Sequence, residues 1–115
     1  MVNSPGKLDA VFAALSDPTR RRIVERLARG SLTVGEIAAE FPISQPAISR
    51  HVRVLEDSGV LARRVVGRVH HCSLAPDAMN AAAGWIEKQT AFWNRVLDRL
   101  GDVLNEPPAR KKNTK

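Results

Sequence analysis

Leu8, Val11, Phe12 and Leu15 recur at the spacing of one helical face, which predicts a first helix over residues 7–15. It stops at Ser16-Asp17-Pro18. Asp17 can accept backbone N–H groups as an N-cap, and Pro18 suits the first helical position, where its missing donor costs nothing, so a second helix begins there. Ile23, Val24 and Leu27 form its buried stripe, and Gly30 ends it. Thr33-Val34-Gly35-Glu36 has the form of a capping box opening a short third helix, with Val34, Ile37 and Ala38 inward.

After Phe41-Pro42-Ile43, Ser44 caps a fourth helix that runs to Asp57. Its apolar positions are Ile48, Val52 and Leu55, which leaves Gln45, Pro46, Ser49, Arg50 and Arg53 on the other faces. Ser58-Gly59 closes it, and the pattern turns from helical to extended. Val60 to Val66 and Val69 to Leu74 are rich in β-branched residues and are separated by Gly67-Arg68, the mark of a β-hairpin. Pro76 opens a last helix reaching to Leu104. Along it Met79, Ile86, Trp93 and Leu100 repeat every seven residues; Ala82, Val96 and Val103 lie three further on, and Ala83, Leu97 and Leu104 four further on. Trp85 and Phe92 widen this stripe, which exceeds what a small core can cover, so part of it is expected to meet another chain. Gln89 interrupts the seam and argues against a long isolated coiled coil.

The predicted fold is mainly α with a small β-hairpin: a winged helix-turn-helix of five helices plus wing. The 115 residues suit a single domain over 1–106. Residues 107–115, which start at Pro107-Pro108 and carry Arg110, Lys111, Lys112 and Lys115, read as a disordered basic tail.

Charge sharpens the picture. The chain has 18 Lys and Arg against 12 Asp and Glu, a net +6, and a surplus of two remains once the tail is set aside. Its placement matters more than its size. Between Ser44 and Leu74 stand Arg50, Arg53, Arg63, Arg64 and Arg68 against Glu56 and Asp57 only. A helix held by its apolar face that offers short hydrogen-bonding groups and cations outward is what base edges and phosphates require. Ser44, Gln45, Ser49, Arg50 and Arg53 are therefore the candidate major-groove residues, and Arg63, Arg64 and Arg68 the candidate wing contacts to backbone or minor groove. The run Arg20-Arg21-Arg22 with Arg26 and Arg29 can either reach phosphates or pair with acidic neighbours, and both readings stay open.

Other chemistry finds little support. No nucleophile with a base, no paired carboxylates and no phosphate loop can be assembled, so no catalytic residue is named and the chain reads as a non-enzyme without cofactor. Neither a membrane-length apolar run nor a secretory signal is apparent, and the lone Cys72 cannot form an internal disulfide, which together fit a reducing cytoplasm. In His70-His71-Cys72, alternation puts only His70 and Cys72 on one side, too few ligands for a metal site. Cys72 is expected to pack inward. His51, on the fourth helix, can contact DNA or satisfy a bond at the domain interior, and the interior role is preferred. Trp85, Phe92 and Trp93 fit an interface core better than an effector pocket.

Three strings carry a family resemblance: Ala14-Leu15-Ser16-Asp17-Pro18-Thr19-Arg20-Arg21-Arg22-Ile23, then Thr33-Val34-Gly35-Glu36-Ile37-Ala38, then Ser44-Gln45-Pro46-Ala47-Ile48-Ser49-Arg50-His51-Val52-Arg53-Val54-Leu55. They resemble the ArsR family of bacterial winged-helix repressors, over roughly residues 7–104. The resemblance implies a homodimer joined through the first and last helices, with Leu8, Val11, Phe12, Leu15, Trp85, Ile86, Phe92, Trp93, Val96, Leu97 and Leu100 at its interface. It further implies binding to double-stranded DNA at an imperfect palindromic operator, with Gln45, Pro46, Ser49 and Arg50 approaching the major groove, and repression of transcription. Many members sense metals through a Cys-x-Cys pair in the third helix or His and Asp clusters on the last. Here the corresponding stretch is Leu32-Thr33-Val34-Gly35 and the last helix holds neither His nor Cys, so the resemblance is to the subgroup without metal ligands, and no small-molecule effector carries over. The alternative function is a winged-helix protein-interaction module that has lost sequence-specific DNA binding.

Overall fold

The computed structural model describes residues 5–105. The order is α1 (Pro5–Ala14), α2 (Pro18–Leu27), β1 (Leu32–Thr33), α3 (Val34–Glu40), α4 (Gln45–Asp57), β2 (Leu61–Val66), β3 (Val69–Leu74) and α5 (Pro76–Leu104). This is the expected winged helix-turn-helix, with one strand more than the hydrophobic pattern foretold. The basic tail lies outside the described residues.

The element ends follow from local chemistry. The Asp17 carboxylate accepts the Arg20 N–H at 3.0 Å, with Pro18 at the first position of α2. Thr33 and Glu36 cap each other: Thr33 Oγ1 accepts from the Glu36 N–H at 3.0 Å, and Glu36 Oε1 from the Thr33 N–H at 2.8 Å. Ser44 Oγ accepts the Ala47 N–H at 3.3 Å to start α4. At the other end of α4 the N–H of Val60 bonds the Leu55 carbonyl at 3.1 Å and that of Gly59 the Glu56 carbonyl at 3.0 Å. Gly59 has φ +89°, the left-handed residue such a Schellman ending demands. Arg26 Nε straddles the Glu40 carboxylate at 2.8 and 3.1 Å, tying α2 to α3.

The sheet has order β1-β3-β2, antiparallel throughout. Gly67 at φ +64° begins the two-residue turn joining β2 to β3, where a side chain would be strained. β1 escaped the sequence reading because two residues show no period; Leu32 pairs with Cys72 and Thr33 with His71.

The chain divides into two compact units between Ala82 and Ala83. In the first, Ile23, Ile37, Ile48, Val52, Leu55 and Cys72 are fully buried and form the centre of the core. Val11, expected at a contact between copies, is only 1% exposed. Its side chain belongs to the core of its own chain, where α1 packs on α4. Leu8, Phe12 and Leu15 remain partly exposed at the edge of that core. In the second unit α5 leaves Ile86, Phe92, Trp93, Leu97 and Leu100 exposed, Trp93 to 56%, while Val96 is half-buried and Trp85 46% exposed. The rings of Phe92 and Trp93 meet edge to face at 5.7 Å.

Candidate nucleic-acid interface

Helix α4 is held by Ile48, Val52 and Leu55, each 0% exposed, so its orientation is set by burial rather than by its polar groups. The consequence is that Ser44, Gln45, Pro46, Ser49, Arg50 and Arg53 all lie exposed on the remaining surface. Val54 is exposed beside them, an apolar position that the core-facing stripe does not include. Preceding it, α3 packs against α4 across the four-residue connection Phe41–Ser44. The pair makes the helix-turn-helix.

The hairpin adds three arginines in different states. Arg64 and Arg68 are exposed and, like Arg50 and Arg53, enter no ion pair among the described residues. Arg63 is engaged: its Nη2 donates to Glu56 Oε1 at 2.9 Å, and its Nη1 lies 3.2 Å from His70 Nδ1. A shallow recess lined by Arg53, Glu56, Asp57, Arg63 and His70 joins the exposed side of α4 to the hairpin. Around the turn Val65, Val66 and Val69 are about half exposed, an apolar collar at the tip which alternation assigned to neither groove nor core.

The basic run of α2 resolves toward structure at three positions. Arg20 donates to the carbonyls of Ala14 and Ala13, Arg21 to that of Leu15 at 2.8 Å, and Arg26 pairs with Glu40. Arg22 and Arg29 stay exposed. His51 takes the interior role: its Nδ1 is 3.3 Å from Arg20 Nη1 and 3.9 Å from Asp17 Oδ2. The backbone N–H of Arg20 holds the Asp17 carboxyl below its ordinary range, against a smaller opposing effect of desolvation and with minor help from the Arg20 charge. Cys72 packs inward, and burial raises its thiol above the ordinary value, against a smaller opposing pull from Arg63. Among the described residues no three His, Cys, Asp or Glu side chains converge to hold a metal ion, and no helix is long and apolar enough to cross a membrane.

Comparison with known proteins agrees with this geometry. The family described as a helix-turn-helix domain matches residues 15–64. The HTH-type transcriptional regulator Rv2034 of Mycobacterium tuberculosis is 40% identical over 97 residues, 84% of this chain and 88% of that protein. The transcriptional repressor SdpR of Bacillus subtilis is 37% identical over 79 residues, 69% of this chain and 88% of its own length. The crystal structure of an ArsR family transcriptional regulator, RHA00566, superposes with a TM-score of 0.73 at 37% identity, covering 79% of this chain and 94% of that one. The chain belongs to the ArsR family. It is a DNA-binding transcriptional regulator, and the ArsR relatives it matches are regulators rather than enzymes. Within that ArsR-family frame, α3–turn–α4 is the helix-turn-helix and β2–β3 the wing.

Proposed function

We propose that this chain acts in the cytoplasm as a homodimeric, sequence-specific repressor. Its two α4 helices enter successive major grooves of an imperfect palindrome about one helical turn apart. Ser44, Gln45, Pro46, Ser49, Arg50 and Arg53 address the major groove, and the wing brings Arg64 and Arg68 to the backbone or the minor groove. One observation carries the reading. A helix whose inner side is wholly buried presents serine, glutamine and unpaired arginines outward, next to a hairpin with two more unpaired arginines. The dimer is supported by the exposed stripe Ile86, Phe92, Trp93, Leu97 and Leu100, too apolar to serve as a solvated helix face. Leu8, Phe12, Leu15, Trp85 and Val96 are assigned to the same contact on the family's pattern. Repression is taken from SdpR, a relative named as a repressor.

Selection of duplexes from a random pool by the purified full-length chain tests this. It should enrich a two-fold-related motif, whose affinity falls steeply with salt as phosphate contacts release counterions. Enrichment of no motif would leave the interaction-module alternative standing.

A further inference from the structure

Arg63 stands near the start of β2, opposite Cys72 of β3, with His70 as its diagonal neighbour. Three of its five N–H groups are engaged. Nη2 and Nε both donate to Glu56 Oε1, at 2.9 and 3.2 Å, and Nη1 lies 3.2 Å from His70 Nδ1. A guanidinium has only donors, so His70 Nδ1 is the acceptor in this contact. Three elements meet on one planar group: Glu56 in the last turn of α4, Arg63 on β2 and His70 on β3. The Arg63 and Glu56 side chains keep only 21% and 35% of their exposure, which strengthens the charge-assisted bonds relative to a fully solvated pair.

The backbone between α4 and β2 is Ser58-Gly59-Val60, centred on the left-handed Gly59. The ion pair crosses that joint as a brace. We infer that Arg63 is a positioning residue, fixing the angle between wing and reading helix through Glu56 and His70 rather than lending its charge to a phosphate. The inference rests on the DNA-reading function proposed above. A helix and a hairpin that must engage one duplex together lose less freedom on binding if their angle is already set. The brace also accounts for Glu56, an anion beside a surface meant for a polyanion, where charge alone would disfavour it.

Glu56→Ala separates the two roles, because simple charge accounting makes it bind DNA more tightly while loss of the brace makes it bind less tightly. With the selected duplex and full-length protein, fluorescence anisotropy should show Glu56→Ala and Arg63→Gln each weakened on the order of tenfold, and the double variant no weaker than either single one. Arg63→Lys, which keeps the charge and loses the fork, should not restore affinity. The salt slope of Arg63→Gln should equal the parent's. The inference is overturned if Glu56→Ala binds as well as the parent or better, or if Arg63→Gln loses about 0.9 of slope per phosphate contact and Arg63→Lys recovers it. His70→Ala leaves the ion pair intact and should weaken binding less, with no change in slope; it gives the reading if the ion-pair variants fold poorly. A parent chain that enriches no motif fails the premise before any variant is made, so the two failures are distinct.

Discussion

Arg20 reaches from α2 to set its Nη1 3.3 Å from Nδ1 of His51 on α4, while its Nε donates to the Ala14 carbonyl at 2.6 Å. One side chain thereby closes the end of α1 and fastens α4 to it. The 3.9 Å from the same Nδ1 to Asp17 is beyond hydrogen-bond reach, so the arginine is the partner that counts. Arg20→Ala should destabilise the chain by about 1–3 kcal/mol, the cost of lost bonds to a charged donor, without altering the urea m-value. Arg20→Lys should recover little of it, because an ammonium cannot fork to three acceptors. Urea midpoints equal to the parent's would contradict this.

Asp17 supplies a pH dependence of definite sign. Its carboxyl is held below the ordinary value of 3.8 chiefly by the Arg20 backbone N–H, so the folded form binds the proton less readily than the unfolded chain. The stabilisation is complete above that ordinary value and is lost as the pH falls through the folded one. The gap in thermal midpoint between the parent and Asp17→Ala should be constant near neutrality and narrow in this acid window. A gap that widens on acidification would refute the assignment.

The proposed contacts separate by their effect on sequence preference. Arg50→Ala should cost about 1–3 kcal/mol of binding and relax preference at one position in each half-site, whereas Arg68→Ala should weaken all duplexes alike and reduce the salt slope. Repeating the selection with each variant checks both. Identical motifs and affinities for Arg50→Ala and the parent would remove Arg50 from the reading surface.

Trp93 and Leu97 are each 56% exposed, so replacing them should cost the isolated chain little. Trp93→Glu with Leu97→Glu should convert a dimer to a monomer in sedimentation velocity and make the thermal midpoint independent of protein concentration. A parent that sediments as a monomer, or a double variant that stays dimeric, would rule out this face.

Most element ends were legible in the sequence because caps are local: Asp17, Thr33, Ser44 and Pro76 act within a turn of where they stand. The outward face of α4 was legible too, since Ile48, Val52 and Leu55 define its opposite. β1 was not, because its two residues are a strand only by virtue of Cys72 and His71 lying alongside, some forty positions later. Nor could the sequence distinguish Arg63 from Arg64. Neighbours in a strand face opposite ways, and only the packing of β2 against α4 decides which one meets Glu56. The stripe on α1 was not divisible from sequence either, as Val11 is in the core while Leu8, Phe12 and Leu15 stand at its edge.

The short strand β1 has a mechanical effect on the hairpin it borders. It pins β3 at His71 and Cys72, and Arg63 pins β2 at the matching level, so the root of the wing is clamped from both sides. Beyond it, residues 65–70 are laddered only to one another. The pairs Val65–His70 and Val66–Val69 are thus the part of the hairpin that β1 does not back, and within it His70 is held by Arg63.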